Sequence, residues 1–144
     1  MKRYLKKKLK KIPEISPALA YRKTQTGTLL VDVREEDEVN QLAVDVPNIL
    51  NIPLSVFEKL YIKLPKNQEL ILVCHGGVRS MRAAWFLLEH GFTKMKNMKY
   101  GITGWVKKGF PVKTSVTNTV NNCSCCGSAN NNQSSCCNTK TTYK

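Results

Sequence analysis

Of the six cysteines in the chain, Cys74 is the only one outside the last 22 residues, and it follows the apolar run LILV directly. After His75, Gly76 and Gly77 let the backbone turn without steric cost, so that amide N–H groups can point at the sulfur. Arg79 adds positive charge, and Ser80 can hydrogen-bond the loop or cap the following helix. Such an arrangement stabilises a sulfur anion. It therefore predicts a nucleophile at Cys74, where a buried structural cysteine is the alternative.

The size of the loop separates two chemistries. Cysteine-dependent tyrosine phosphatases and related arsenate reductases place five residues between the cysteine and the arginine, which makes room for a tetrahedral phosphate. Only four residues, His75 to Val78, separate Cys74 from Arg79 in this chain. The smaller loop favours a sulfur atom over a phosphate group, so phosphatase or arsenate reductase activity is the less favoured alternative.

The segments around this loop alternate between strand and helix patterns. TGTLLVDVRE and NILNIPL predict strands, acidic residues 35–38 predict a helix start, and VFEKLYIKL predicts a helix capped by Ser55. QELILVC gives the strongest strand pattern. SMRAAWFLLEH predicts a helix from about Ser80, residues 95–98 a short strand and ITGWVKKGF a last helical segment. The alternation predicts an α/β domain with a mainly parallel sheet of about four to five strands, flanked by helices on both faces. Ligands bind beyond the carboxyl ends of such strands, where Cys74 lies.

The two ends of the chain differ from the middle in composition. The net charge of +13 divides into +7 in residues 1–11, +4 in residues 12–113 and +2 in residues 114–144. Residues 114–144 are mostly Thr, Ser, Asn and Cys and hold too little apolar surface to offset the entropy of ordering. The sequence thus predicts a basic N-terminal arm, one domain over residues 12–113 and a disordered C-terminal tail.

The basic arm raises the question of an anionic partner. It lacks the interleaved aromatic residues and glycines of a nucleic-acid platform, and Leu5, Leu9 and Ile12 follow helical spacing. A short helix packed on the domain is therefore favoured over a membrane-surface or nucleic-acid segment, and no nucleic-acid partner is predicted. No stretch approaches the ~20 apolar residues that span a bilayer. We expect a cytoplasmic protein with reduced cysteines and an oligomeric state that the sequence does not reveal.

The tail contains the other five cysteines, which are Cys123, Cys125, Cys126, Cys136 and Cys137. Their spacing lacks the paired Cys-x2-Cys arms of zinc sites, although close thiolates suit soft metals such as copper(I) or zinc. They can alternatively accept sulfur from Cys74 on a flexible tether, or form disulfides under oxidative stress. A low-complexity appendage without a dedicated role is the remaining interpretation. Metal or sulfur handling is slightly favoured, and the tail cysteines are candidate metal ligands.

Four motifs in order resemble one known family. They are LLVDVREEDEV, NIPL, LPKNQELILVCHGGVRSMRAAWFLLEHGF and GITGWVKKGFPV. Over roughly residues 14–113 the chain resembles the single-domain rhodaneses, a family of sulfurtransferases. The resemblance implies that Cys74 takes a sulfane sulfur from thiosulfate or a persulfide and becomes a persulfide itself. It then passes the sulfur to cyanide, to a thiol or to a sulfur-carrier protein, without a cofactor.

The resemblance also assigns roles to other residues. It implies that the loop amides hold the terminal sulfur and that Arg79 helps to fix the loop. Asp32 and Arg34 match the family's DVR motif, where they support the loop by charge pairing or form a strand-end salt bridge. The implied active-site loop consists of His75, Gly76, Gly77, Val78, Arg79 and Ser80.

Three departures from the family pattern concern the donor and the loop's surroundings. His75 stands where members that use thiosulfate often carry Arg or Lys, and a neutral imidazole is a poorer partner for a doubly charged donor. VDVPN replaces the family's Gly-His-Ile, and Tyr100 stands where a glycine is common before Gly101. These departures argue against thiosulfate as the natural donor. The alternative function is a metal- or sulfur-binding accessory protein that acts through the tail cysteines.

Overall fold

The computed structural model describes residues 11–115, which form one sheet of five parallel strands and one antiparallel pair. The strands are β1 (Glu14–Ile15), β2 (Leu29–Asp32), β3 (Leu42–Val44), β4 (Ile49–Asn51), β5 (Leu70–Val73), β6 (Met95–Met98) and β7 (Val112–Thr114). The helices are α1 (Pro17–Gln25), α2 (Glu36–Gln41), α3 (Phe57–Leu60), α4 (Val78–Glu89) and α5 (Gly101–Lys107). The parallel sheet has the order β1-β6-β5-β2-β4, and β3 pairs with β7. The predicted α/β class and mainly parallel sheet are confirmed.

The register of the sheet brings the carboxyl ends of four strands to one edge. Asp32 in β2 lies opposite Val73 in β5 on one side and Asn51 in β4 on the other. Leu72 in β5 lies opposite Asn97 in β6. Polar residues of β2, β4 and β6 therefore gather beside the end of β5, where Cys74 follows.

Strand β5 lies at the centre because its side chains alternate between two apolar cores. Leu70 and Leu72 belong to the core under α3 and α4, which includes Ala84 and Leu87. Ile71 and Val73 belong to the opposite core, where they pack with residues of α1 and α5 that include Trp105. All four β5 side chains are fully buried, and each contributes about 1.5–3 kcal/mol by leaving water. Helices thus cover both faces of the sheet, as expected.

The segment predicted as the single helix VFEKLYIKL is divided instead. A 3-10 turn over Leu54–Val56 precedes α3, and a second over Tyr61–Lys63 follows it. The prediction of Ser55 as a helix cap was wrong. Its amide and hydroxyl donate to the Glu35 carboxylate across the turn, at 3.2 and 2.8 Å, so Ser55 is occupied with a neighbouring segment.

Helix α1 and strands β1, β3 and β7 were not predicted. For α1 a signal was present, because Ser16 is the N-cap, with a side chain that accepts from the amide of Leu19 at 3.3 Å, and Pro17 occupies the first helical position. The strands β1, β3 and β7 are only two or three residues long, which is too short for a periodic pattern.

The ends of the described segment bear on the predicted arm and tail. Ile12 is buried in the core beside α4, in non-helical backbone. Thr114, which the sequence analysis assigned to the tail, is the last residue of β7. The remainder of both predictions, including all five tail cysteines, lies outside the described residues. Within residues 11–115, no helix has the length and apolar content needed to cross a bilayer.

Candidate active site

Cys74 is the first residue after β5 and its side chain is almost completely buried, with an exposed fraction of 1%. Its sulfur accepts a hydrogen bond from the Gly77 amide at 3.0 Å. The Ser80 hydroxyl oxygen lies 3.3 Å from the same sulfur. The Cys74 thiol forms no disulfide within the described residues. Its two polar neighbours, the Gly77 amide and the Ser80 hydroxyl, belong to its own loop.

The Cys74 loop (residues 75–80) curls because Gly77 has a φ of +100°, in the left-handed region that suits glycine. Gly77 is also the N-cap of α4, so the helix begins at Val78 and not near Ser80 as predicted. Within residues 11–115, the amides of Val78, Arg79 and Ser80 donate to no backbone or side-chain acceptor. Such first-turn amides favour an anion or a ligand in front of the helix.

The carbonyl groups of the loop are held on its other side by α5. The Cys74 carbonyl accepts from the Ile102 amide at 2.8 Å, and the His75 carbonyl accepts from the Thr103 amide and hydroxyl, both at 3.2 Å. Because these carbonyls are bound to the start of α5, the loop keeps its amides for the sulfur side. The direction in which the loop amides and carbonyls point thus depends on main-chain contacts between the Cys74 loop and α5, which are distant in sequence.

This contact requires a glycine at position 101. Gly101 has a φ of +52°, and a Cβ atom there would lie closer than 3.0 Å to the carbonyl oxygens of both Cys74 and His75. The preceding residue, Tyr100, also has a positive φ of 64° and is the only non-glycine residue among those described with this conformation. A left-handed backbone at both positions explains why paired glycines suit this turn.

Sequence analysis did not identify Asn97, which links three parts of the site. Its side-chain oxygen accepts from the Ser80 hydroxyl at 2.6 Å, and its amide donates to the Gly77 carbonyl at 3.2 Å and to Glu14 Oε1 at 3.3 Å. Asn97 is 1% exposed. The sequence does show that Asn97 is a polar residue near the carboxyl end of a buried strand. That pattern does not indicate which groups the side chain binds.

Arg79 forms its side-chain hydrogen bonds outside the loop. Its guanidinium forms two hydrogen bonds with the Glu38 carboxylate of α2, at 2.6 and 2.7 Å. The hydrogen bond from Arg79 lowers the pKa of Glu38 to about 2, and the same bond raises the pKa of Arg79. The arginine thus joins the loop to α2, and a nearby carboxylate compensates its charge.

Asp32 and Arg34 form a second, buried ion pair. Arg34 Nη2 donates to Asp32 Oδ2 at 2.6 Å, and Nε donates to both carboxylate oxygens at 3.0 and 3.1 Å. Asn51 in β4 donates to the carbonyls of both residues at 2.9 Å. Among residues 11–115, neither side chain of the pair hydrogen-bonds the Cys74 loop. Their arrangement is that of a strand-end salt bridge beside β5.

The outer surface of the loop consists of His75, Gly76 and Val78, which are exposed. Val78 is an apolar side chain that is 74% exposed. In the part of the chain that the structure describes, no group of three His, Cys, Asp or Glu residues lies close enough to hold a metal ion. The arrangement can therefore stabilise charge on sulfur through amides, with a polar interior and an exposed rim.

Comparisons with known proteins match most of the described residues to one family. Residues 16–108 match the model of the rhodanese-like domain family. A sulfurtransferase of Allochromatium vinosum is 30% identical over 98 residues, which cover 67% of this chain and 90% of that protein.

Two solved structures have the same fold. A rhodanese-related protein of Thermoplasma volcanium superimposes with a TM-score of 0.63 at 28% identity, covering 70% of this chain and 97% of that one. The polysulfide-sulfur transferase homodimer of Wolinella succinogenes gives a TM-score of 0.68 at 26% identity, covering 77% of this chain and 85% of that one. The chain belongs to the rhodanese-like domain family, whose matched relatives include sulfurtransferases.

Proposed function

We propose that the protein is a sulfurtransferase that carries a sulfane sulfur as a persulfide on Cys74. The observation that carries this proposal is the 3.0 Å hydrogen bond from the Gly77 amide to Cys74 Sγ, beside first-turn amides of α4 that have no acceptor in residues 11–115. A loop of four residues between Cys74 and Arg79 leaves room for one further sulfur atom more readily than for a phosphate group. The names of the matched relatives support the same reaction class.

The reaction consists of two displacements at sulfur. The Cys74 thiolate attacks the outer sulfur of the donor, so that a new S–S bond forms and the donor's S–S bond breaks. Sulfite leaves when the donor is thiosulfate, and a thiolate leaves when the donor is a persulfide. The acceptor, a thiol or cyanide, then attacks the outer sulfur of the Cys74 persulfide, and the Cys74 thiolate leaves.

The surrounding residues act by holding charge and position. In this proposal the free amides of Val78, Arg79 and Ser80 stabilise negative charge on the outer sulfur. The exposed His75 and Val78 meet the donor and the acceptor, and the imidazole favours a persulfide over the doubly charged thiosulfate. A small acceptor thiol or a sulfur-carrier protein fits the exposed rim.

The proposal includes the setting of the reaction. Since the reaction needs Cys74 as a thiolate, a reducing cytoplasmic compartment suits it. We further propose the division into a basic arm, a catalytic domain over residues 12–113 and a C-terminal tail, with no bound cofactor in the reaction.

Intact-protein and peptide mass spectrometry test the proposal. Full-length protein and Cys74→Ser are incubated separately with thiosulfate and with glutathione persulfide. We expect the mass of one sulfur atom on the Cys74 peptide, faster with the persulfide, and sulfur transfer to cyanide from the wild-type protein alone. Circular dichroism should show an unchanged fold for Cys74→Ser.

Two outcomes would count against the proposal. One is transfer activity retained by folded Cys74→Ser. The other is hydrolysis of an aryl phosphate that depends on Cys74, with no sulfur gained from either donor, which would move the protein to the phosphatase class.

A further inference from the structure

We propose that Tyr100 and Lys99 select the donor of the proposed reaction, by contacting the organic part of a peptide-sized persulfide that bears carboxylates. This inference rests on the proposed function and names the chemical class of its donor. It is carried by the strained backbone of Tyr100, by the position of this residue beside the Cys74 loop and by the charge of its neighbours.

The backbone of Tyr100 adopts a conformation that suits glycine better than tyrosine. Its φ of 64° and ψ of 2° lie in the left-handed region, where a Cβ atom crowds the following carbonyl oxygen. The side chain is 61% exposed and belongs to neither apolar core, so the fold gains little from it. Strained residues of this kind cluster at ligand-binding and catalytic sites. A contact with a ligand is the role that this side chain can fill.

Tyr100 lies close enough to the sulfur for such a contact. Its amide nitrogen is 3.6 Å from the position that a Cβ atom of Gly77 would occupy. The Gly77 amide donates to Cys74 Sγ at 3.0 Å. When these links are added at their full length, the Tyr100 Cα lies within about 11 Å of the sulfur, and an extended tripeptide spans about 10 Å. A peptide-sized donor with its outer sulfur at Cys74 therefore reaches Tyr100.

Two exposed apolar side chains flank Gly77. Val78 is its neighbour in the chain and is 74% exposed, and Tyr100 is its neighbour in space. An organic donor buries part of this surface when it binds, which is favourable in proportion to the apolar area removed from water. Thiosulfate and hydrogen disulfide have no apolar part and gain nothing from it. The surface thus favours donors that carry an organic group.

Positive charge accompanies this apolar surface. Lys99 Nζ lies over the Tyr100 ring, 5.2 Å from its centroid. Arg82 follows Val78 by one turn on the exposed side of α4. Neither Lys99 nor Arg82 forms an ion pair with another residue in the range 11–115. A carboxylate on the donor supplies the partner that these cations lack.

Acidic side chains near the loop do not cancel this charge. Glu38 is paired with Arg79, so each compensates the other. Glu14 is exposed and accepts a hydrogen bond from the buried Asn97 amide at 3.3 Å. Two unpaired cations thus accompany one unpaired carboxylate around the loop, and the excess of positive charge attracts an anionic donor.

The charging step balances without an oxidant or a reductant. The Cys74 thiolate attacks the outer sulfur of the donor persulfide, a new S–S bond to Cys74 forms and the S–S bond of the donor breaks. The organic thiolate leaves with the bonding electron pair and keeps its carboxylates. In this proposal Tyr100 and Lys99 hold the organic group while the two sulfur atoms exchange.

The test for Tyr100 compares two donors on the full chain, reduced and freed from reductant. One is glutathione persulfide, and the other is hydrogen disulfide, which has no organic group. Peptide mass spectrometry of alkylated samples gives the second-order rate constant for the gain of sulfur on Cys74. We expect Tyr100→Gly to lower the ratio of the two rate constants, glutathione persulfide over hydrogen disulfide, by about fivefold or more. Tyr100→Phe, which keeps the ring, should stay near the wild-type ratio.

The test for Lys99 compares glutathione persulfide with the persulfide of cysteamine, which has no carboxylate. Lys99→Met should lower the ratio of their rate constants by about threefold, and added salt should reduce the difference between the variant and wild type. The matched controls are Val106→Ala and Lys108→Met, exposed residues at the other end of α5, which should leave the ratios at their wild-type values. Circular dichroism checks the fold of every variant.

The outcomes separate this inference from the proposed function. An unchanged ratio in Tyr100→Gly or in Lys99→Met would overturn the inference, and so would an equal loss of rate with both donors. In each of these cases Cys74 still gains sulfur and the proposed function stands. No sulfur on Cys74 of the wild-type protein from any of the donors would refute the proposed function itself.

Discussion

The guanidinium of Arg79 and the carboxylate of Glu38 form a two-bond ion pair, at 2.6 and 2.7 Å, between the Cys74 loop and α2. The side chain of Arg79 therefore donates its hydrogen bonds to a neighbouring helix. The Cys74 sulfur accepts its backbone hydrogen bond from the Gly77 amide. The ion pair links two segments of the fold, and its contribution to the free energy of unfolding depends on pH.

Replacement of Glu38 by Gln should reduce the dependence of stability on pH. The folded pKa of about 2 lies below the ordinary value of about 4.3, so the carboxylate contributes stability above that ordinary value and loses it as pH falls towards 2. Because the two side chains are 33% and 36% exposed, we expect a loss of at most about 1 kcal/mol at pH 7. Urea unfolding between pH 7 and pH 3 measures both effects.

Glu36→Gln is the matched control for this experiment. Glu36 lies on the same helix and forms no ion pair within the described residues. Its replacement should leave the slope of unfolding free energy against pH closer to that of wild type. Equal slopes for wild type and Glu38→Gln would contradict the prediction.

Replacement of Gly101 by Ala should damage the site and the fold together. The added Cβ would meet two backbone carbonyl oxygens, of Cys74 and His75, which cannot move without shifting the loop. We expect a loss of about 3 kcal/mol or more in unfolding free energy and at least a tenfold slower charging of Cys74. Chemical denaturation and persulfide mass spectrometry measure the two effects.

Gly109→Ala separates backbone strain from the close contact. Gly109 also has a positive φ, of +73°, but a Cβ there meets nothing within 4 Å. Its replacement should cost about 1 kcal/mol and leave charging unchanged. Equal losses in the two variants would show that the carbonyl contact is unimportant.

Replacement of Ser80 by Ala should destabilise the protein through Asn97. The 2.6 Å bond to Asn97 is the shortest contact of the single hydroxyl proton, and its removal leaves a buried amide oxygen without a donor. We expect a loss of about 1–3 kcal/mol in urea unfolding. Ser55→Ala, which removes an exposed hydroxyl bound to Glu35, should change stability by about 0.5 kcal/mol or less. An equally small effect at Ser80 would argue against the network.

Replacement of Asp32 by Asn should be among the most destabilising single changes at the sheet edge. It leaves the buried Arg34 guanidinium without its anion, which typically costs about 3–5 kcal/mol. Asp45→Asn removes a comparable but exposed pair with Lys113 and should cost less than about 1 kcal/mol. Thermal unfolding of both variants gives the comparison, and similar Tm values would contradict it.

The sequence predicted what is local. The strand LILV, the glycines after Cys74 and the helix that follows are neighbours along the chain, and their residue types have strong conformational preferences. The four-residue spacing from Cys74 to Arg79 is likewise a property of one segment.

The partners of this loop depend on tertiary pairing instead. Glu38 meets Arg79 from 41 residues away and Asn97 meets Ser80 from 17 residues away. Side-chain type shows that such groups need partners but not which ones they find, so sequence reasoning did not name Glu38 as the partner of Arg79 and overlooked Asn97. The contact of Gly101 with the Cys74 carbonyl involves only main-chain atoms, and its one signal was the glycine itself.

The main-chain hydrogen bonds between the Cys74 loop and α5 hold the loop in place, and they involve different atoms from the side chains that the loop exposes. The bonds from the Ile102 and Thr103 amides to the loop carbonyls do not depend on side-chain identity, provided that position 101 is glycine. The exposed side chains of His75 and Val78 take no part in these bonds. If the proposed sulfur transfer takes place at Cys74, a change of preferred donor or acceptor can therefore arise at those two positions while the main-chain contacts of the loop stay the same.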